Sequence, residues 1–205
     1  LDYTTRDADP RRAPMGKAPY LAAPGIDGFL ADSQCIIEWC QATYGDVLDA
    51  SLTAEQHAKG HLLRILFENR LYFLLLHTRW VTADGWRDQQ QVLRGMVPPV
   101  AKSFLPAVLR RSVRRQLHEQ GVGRHSQQER DAMAKADIRA VETMLVDDFV
   151  VGNTVSTYDC AVYGQVAGAL ATFVDNALKS AVSSSPRLLA WLDRMDDVLG
   201  WERTK

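Results

Sequence analysis

The chain has 205 residues, of which 46% are apolar and 24% charged, and its formal net charge is −1. This length suffices for one large domain or two small domains with a hydrophobic core. A net charge so close to zero creates no overall field that would attract nucleic acid. The longest apolar run, Leu71–Leu76, is too short to span a membrane.

Cysteine usage indicates a reducing compartment. The three cysteines are an odd number and lack the spacing of a zinc site or of a disulfide scaffold. The first seven residues, LDYTTRD, contain neither a basic region nor a long apolar run, so they do not predict a signal peptide. We therefore expect a cytoplasmic protein without a metal site and without a membrane-spanning segment.

The first 45 residues predict a small unit of strands and one helix, with residues 46–52 as a linker. Pro19 lies at the start of a predicted strand, where a proline is tolerated because it has no amide to donate to a sheet. Asp32 and Ser33 provide a cap for a helix that Gly45 ends. The predicted strands are Leu1–Thr5, Gly16–Leu21 and a short one near Gly28–Leu30, and the helix runs to about Tyr44.

From residue 53 to residue 205 the sequence predicts only helices. Three capping boxes, in which Ser or Thr is followed three residues later by Gln, Glu or Asp, mark helix starts. The first box opens a long helix that no proline interrupts before Asp84. The boxes are Thr53–Gln56, Ser126–Glu129 and Ser156–Asp159, and further helices are predicted from about Trp86 to Arg94, through Val108–Leu117, near Val174–Ala181 and after Pro186.

The helix that follows Ser156 is the predicted centre of this second unit. Its sequence is nearly free of charge and rich in Ala, Gly and Val, so it should be buried on most sides. Ser156 and Asp159 can satisfy each other's backbone amides at the start of this helix. We therefore interpret both residues as structural rather than catalytic.

Three features together resemble the glutathione-transferase superfamily. They are the segment Gly16–Leu21 (GKAPYL), the helix start Ala31-Asp32-Ser33 and the box formed by Ser156 and Asp159. Two further segments, Leu117–Ser126 (LHEQGVGRHS) and Asp159–Gly164 (DCAVYG), are similar to the branch that includes the failed-axon-connections and metaxin-like proteins. The resemblance covers essentially the whole chain. It implies an α+β fold, with a thioredoxin-like N-terminal unit followed by an all-helical C-terminal domain.

The resemblance also implies a glutathione site in the first unit. A cis peptide bond before Pro19 would present the backbone of Ala18 to the cysteinyl part of glutathione. Asp32 and Ser33 would hold the γ-glutamyl carboxylate at a helix N-terminus, where the helix dipole favours an anion. Lys17 is a candidate for a second carboxylate. The alternatives remain open that Pro19 is only a conformational feature of the fold and Ser33 only a helix cap.

No catalytic residue follows from the sequence. In the family, the Tyr, Ser or Cys that activates the glutathione sulfur lies in a segment before the residues that match Leu1–Thr5, and this sequence contains no match to that first strand and helix. Two functions therefore stay open: a glutathione transferase that acts on small electrophiles, and a non-catalytic binding or scaffold module. The family's usual assembly is a homodimer. We expect Cys35 and Cys40 to serve in packing.

Two other groups of residues are candidates for contacts. Arg110, Arg111, Arg114 and Arg115 form a basic cluster on one predicted helix. We interpret this cluster as a solvated helix face, with an anionic membrane or an acidic partner as the alternatives. Near the end of the long helix, a second group is a candidate lining for a ligand cleft between the domains, with core packing as the alternative for Trp80. Its members are His77, Arg79, Trp80 and Trp86.

Overall fold

The computed structural model describes residues 2–8, 13–96, 100 and 102–200. The chain divides into two compact units, Leu1–Ser51 and Leu52–Lys205. In the first unit, strand β1 (Tyr20–Leu21) pairs antiparallel with strand β2 (Leu30–Ala31), and helix α1 (Ser33–Tyr44) follows directly. Gly45 ends α1 with a φ of +92°, a left-handed conformation that glycine adopts without steric cost.

The predicted strand Leu1–Thr5 is wrong over the residues that can be assessed. Leu1 lies outside the described residues, and residues 2–5 are exposed and have no regular structure. Among the described residues the sheet has only two strands, so this segment has no neighbour with which to exchange backbone hydrogen bonds. The alternation of apolar and polar residues is therefore not sufficient to form a strand in this segment. The other two predicted strands are found, but each is only two residues long.

The regular structure of the second unit is entirely helical in its described part, as the capping boxes predict. The long helix is present, but a five-residue π-helical segment, Phe67–Leu71, divides it into α2 and α3. Sequence periodicity gives no sign of this single wider turn. The helices are α2 (Ala54–Leu66), α3 (Tyr72–Trp80), α4 (Ala83–Met96), α5 (Leu105–Gln120), α6 (Gln127–Met144), α7 (Thr157–Leu170), α8 (Ala177–Ser183) and α9 (Pro186–Leu199).

Helix α7 lies in the core of the second unit, as predicted. Val162 and Val166 on α7 are 0% and 1% exposed. Burying a side chain of this size contributes about 1.5–3 kcal/mol relative to leaving it in water. Large buried side chains from the π-helical segment, α6 and α9 belong to the same core, among them Phe67, Leu71, Ile138, Leu188 and Leu192.

The start of α7 is fixed by a buried carboxylate. Asp159 Oδ2 accepts hydrogen bonds from the Ser156 amide at 2.9 Å and from the Ser156 hydroxyl at 2.6 Å. Asp159 Oδ1 accepts from the Val150 amide and from Trp191 Nε1, both at 2.9 Å. Ser156, Asp159 and Trp191 are all 0% exposed. Asp159 therefore ties the loop before α7, and helix α9, to the N-terminus of the central helix.

Arg110 makes structural contacts with other helices. The interpretation of the basic cluster as a solvated helix face is therefore wrong for Arg110. Its guanidinium donates to the carbonyl oxygens of Trp80 at 2.9 Å and Val81 at 3.0 Å, at the C-terminus of α3. It also lies 4.7 Å from the centre of the Trp86 ring, a cation–π contact. A positive side chain at this end of a helix satisfies unpaired carbonyls and complements the helix dipole.

Candidate functional site

The proline at the start of β1 has the geometry that the resemblance implies. The peptide bond between Ala18 and Pro19 is cis. Lys17, Ala18 and Pro19 are all exposed, so the backbone around this bond is open to solvent. Tyr20 and Leu21 then enter the sheet. The exposed backbone before β1 is thus available to an extended, peptide-like ligand.

The N-terminus of α1 is the second element of the site. Asp32 is the N-cap: its Oδ1 accepts a hydrogen bond from the Gln34 amide at 2.9 Å. Its φ of +76° lies in the left-handed region, which a residue with a Cβ adopts only at a conformational cost. Ser33 is the first helical residue and is exposed. Within the described residues its hydroxyl has no hydrogen-bond partner, so Asp32 alone caps this helix and the Ser33 hydroxyl is accessible.

The strand register brings these two elements to the same end of the sheet. Tyr20 lies opposite Ala31 in the β1–β2 pair. Continued by one residue, the same register places Pro19 opposite Asp32. Because α1 starts at once after Asp32, its first backbone amides lie at this end as well. The five residues that the sequence singles out, Lys17, Ala18, Pro19, Asp32 and Ser33, therefore form one exposed edge, which we call the proline–serine edge.

The cysteines of α1 differ from the expectation of buried packing. Cys35 lies in the first turn and is exposed, while Cys40 is half-buried. Because its thiol is exposed to solvent, Cys35 does not serve in buried packing. Among the residues that the structure describes, no cluster of three His, Cys, Asp or Glu side chains could hold a metal ion.

The family comparisons agree with this geometry. A family model described as the glutathione S-transferase N-terminal domain matches residues 1–85, and one described as the glutathione S-transferase C-terminal domain matches residues 134–195. The isoprene-epoxide–glutathione S-transferase of Rhodococcus sp. (strain AD45) is 31% identical over 200 residues, which cover 95% of this chain and 81% of that protein. The chain belongs to the glutathione S-transferase family. The α+β fold, with a thioredoxin-like N-terminal unit and a helical C-terminal domain, is thereby confirmed.

A second relative supports the branch that the sequence suggests. Failed axon connections of Drosophila melanogaster is 25% identical over 211 residues. The match covers 96% of this chain but only 50% of that protein, so the chain spans about half the length of this relative. No solved structure gives a significant match.

The residues near the end of the long helix serve the interior of the helical unit. Arg79 donates to the Gly168 carbonyl of α7 at 2.8 Å, and burial lowers the pKa of its guanidinium. Trp80 packs against Trp86 with ring centres 5.8 Å apart. His77, 7% exposed, lines a cavity of about 20 Å³, room for about one water molecule. This cavity has no room for an organic substrate, and the role of His77 in a ligand cleft between the domains stays a prediction.

His77 should make the stability of the protein depend on pH. Its pKa is lowered from 6.5 to about 4, first by burial and then by the charges of Arg130 and Arg114. The unfolded chain therefore takes up this proton at a higher pH than the folded chain. Above pH 6.5 the imidazole is neutral in both states, and acidification from there favours unfolding. Between pH 6.5 and pH 5 we expect a loss of about 1–2 kcal/mol from this side chain.

Urea unfolding at pH 7 and pH 5 measures this effect. The loss of stability on acidification should be smaller in the variant His77→Gln than in the parent protein, whereas His118→Gln, on the exposed face of α5, should leave it unchanged. The same decrease in all three proteins would show that His77 does not have a lowered pKa.

Proposed function

We propose that the protein binds glutathione at the proline–serine edge and conjugates it to small electrophiles. The observation that carries this proposal is the register of β1 and β2, which brings an exposed cis-proline backbone and a serine-bearing helix N-terminus to one end of the sheet. Such an edge presents a peptide-like hydrogen-bonding strand next to an anion-binding helix end. Glutathione is a peptide with a carboxylate at each end, and its chemistry fits both parts.

Each residue of the edge has a distinct role in this proposal. The backbone of Ala18 pairs with the cysteinyl unit of glutathione, and Pro19 holds that backbone in place. The Ser33 hydroxyl and the first amides of α1 bind the γ-glutamyl carboxylate. The Asp32 carboxylate already accepts from the Gln34 amide, so it orients this helix start rather than adding a donor. Lys17 takes the second carboxylate as a flexible, charged donor.

The proposed reaction is a nucleophilic substitution or ring opening by the glutathione sulfur. The thiolate attacks an electrophilic carbon, a carbon–sulfur bond forms, and the bond to the leaving atom breaks. When the electrophile is an epoxide, the oxygen that leaves carbon takes up one proton and becomes a hydroxyl. The relative from Rhodococcus is named for an isoprene epoxide, so a small epoxide is the first substrate to test. We assign no residue of this chain as the group that activates the sulfur.

A second candidate function is a non-catalytic binding or scaffold module on the same fold. It is favoured by the similarity to Failed axon connections, which extends over 96% of this chain. An activity assay with glutathione and a small epoxide distinguishes the two candidate functions. An enzyme consumes glutathione and a small epoxide with saturable kinetics, whereas a binding module holds glutathione and leaves the epoxide unchanged.

We also propose that the protein is a cytoplasmic homodimer. Cys35 and Cys40 are free thiols, as expected in a reducing compartment. None of the described helices is long and apolar enough to cross a membrane. The dimer rests on membership of the family, and light scattering on the purified protein measures it directly.

Retention on immobilised glutathione tests the binding proposal. The parent protein should be retained and should elute with free glutathione, and Ser33→Ala should weaken binding by about tenfold, because one hydrogen bond to a charged group is lost. Ser112→Ala, which removes an exposed serine hydroxyl from α5, is the matched control and should behave like the parent protein. The proposal would be wrong if the parent protein were not retained, or if Ser33→Ala bound as tightly as the control.

A further inference from the structure

The cations of the chain are concentrated in one segment. Residues 89–118 contain six Lys and Arg and no Asp or Glu, so this segment has a charge of +6 and the rest of the chain has −1 − 6 = −7. The near-zero net charge of the whole chain therefore conceals a strongly basic region. Helix α5 carries four of the six cations.

Helix α5 has a packed face and an exposed face. Pro106 and Leu117 are buried, and they lie on the same side of the helix. The opposite side carries a stripe at spacings of four, three and four residues, which a helix of 3.6 residues per turn brings within about 60° of one another. The stripe consists of Phe104, at the N-cap, followed by Val108, Arg111 and Arg115.

This stripe is apolar at one end and basic at the other. Phe104 is 56% exposed and Val108 is 55% exposed. Arg115 is 76% exposed and lies 3.6 Å from Glu119, the first acidic residue after the basic segment. Within the described residues, Arg111 and Arg114 make no hydrogen bond or ion pair. Arg110 donates to the carbonyl oxygens at the end of α3 and is not available to a partner. The cations of the exposed face are therefore Arg111 and Arg115.

From this arrangement we infer that the exposed face of α5 docks the protein on the surface of an anionic phospholipid bilayer. Exposed apolar side chains next to arginines suit the interface of a bilayer, where the apolar groups enter the acyl-chain boundary and the guanidinium groups contact lipid phosphates. A nucleic acid would use the cations but would leave Val108 unmatched, and stacking surfaces for bases need several aromatic rings. The contact is peripheral, since none of the described helices spans a membrane.

Vesicle flotation tests this inference. The protein should float with vesicles of equal parts phosphatidylcholine and phosphatidylglycerol at low salt and not with phosphatidylcholine alone, and high salt should weaken the binding. The double variant Arg111→Gln, Arg115→Gln, which removes both cations of the stripe, should bind more than tenfold less tightly, since each arginine near a charged surface contributes about fivefold. Phe104→Ser, Val108→Ser should also bind more weakly, an effect that simple charge attraction does not produce.

The matched control removes two cations from another exposed helix face. Lys135 and Arg139 are exposed on α6, and the variant Lys135→Gln, Arg139→Gln should bind vesicles like the parent protein. If the arginine variant of α5 and the control variant of α6 lost vesicle binding to the same extent, the inference would be overturned, because binding would then depend only on net charge. Absence of binding to anionic vesicles, or binding only to a polyacidic peptide or to nucleic acid, would overturn it as well.

Discussion

Replacing Asp159 with alanine should lower the free energy of unfolding by about 4 kcal/mol or more. The substitution removes the acceptor of four hydrogen bonds at a site that is fully buried. The amides of Ser156 and Val150 and the indole N–H of Trp191 would stay buried without partners, and each such donor costs about 1–3 kcal/mol. The helix also loses its capping box.

The matched control for this prediction is the capping box of α6. Glu129 occupies the same position relative to Ser126 that Asp159 occupies relative to Ser156, and its Oε2 accepts from the Ser126 amide at 2.7 Å. Its side chain is 60% exposed, so water replaces the lost acceptor when Glu129 becomes alanine. Urea unfolding should therefore show a loss several times smaller for Glu129→Ala. Similar losses for the two variants would contradict the role assigned to burial at Asp159.

Replacing Gly85 with alanine should destabilise the protein by about 3 kcal/mol, at the upper end of the usual cost of overpacking. A Cβ at position 85 would lie 2.0 Å from the carbonyl oxygen of Thr78 and 2.8 Å from the Thr82 hydroxyl. The nearer atom belongs to the backbone of α3, so a change of rotamer cannot relieve the contact. Helix α3 or the start of α4 would have to shift.

Gly164 provides the control for Gly85. It lies in the middle of α7, and apart from the adjacent residues and backbone of α7 itself no heavy atom lies within 4 Å of the position that a Cβ would take. Gly164→Ala should raise stability by up to about 1 kcal/mol, because alanine has the higher helix propensity. Thermal unfolding of both variants measures the contrast. A stable Gly85→Ala variant would show that α3 and α4 are not packed as closely as described.

Local signals in the sequence predict the helices well and the long-range contacts poorly. The capping boxes of Thr53, Ser126 and Ser156 each mark a helix start, because the partners in a box are only three residues apart. The other partners of Asp159 are Val150 and Trp191, which are nine and 32 residues away. No pattern in the sequence links them to the capping box. They come together only when α9 packs against α7.

The long-range contacts of the basic cluster were likewise not predictable from the sequence. Sequence spacing places Arg110 and Arg114 on one helix face, and a solvated face is the ordinary interpretation of such a pair. Arg110 instead caps α3, 29 and 30 residues away in sequence. The strand predicted at the N-terminus is wrong for a related reason, because a strand needs a neighbour and local alternation does not supply one.

The proline–serine edge was predictable in composition but not in detail. The cis bond before Pro19 and the helix start at Asp32 and Ser33 follow from the resemblance, and the structure contains both. The positive φ of Asp32 and the accessible hydroxyl of Ser33 do not follow from residue type, since they depend on how β2 turns into α1. The contact of these residues with glutathione stays a proposal.

An amide ¹H–¹⁵N spectrum of the protein titrated with glutathione tests the central proposal most directly. We expect saturable shifts of the amide signals of Ala18, Ser33 and Cys35, with a dissociation constant that Ser33→Ala raises by about tenfold. Shifts confined to α2–α9, or a spectrum that glutathione leaves unchanged, would contradict the proposal.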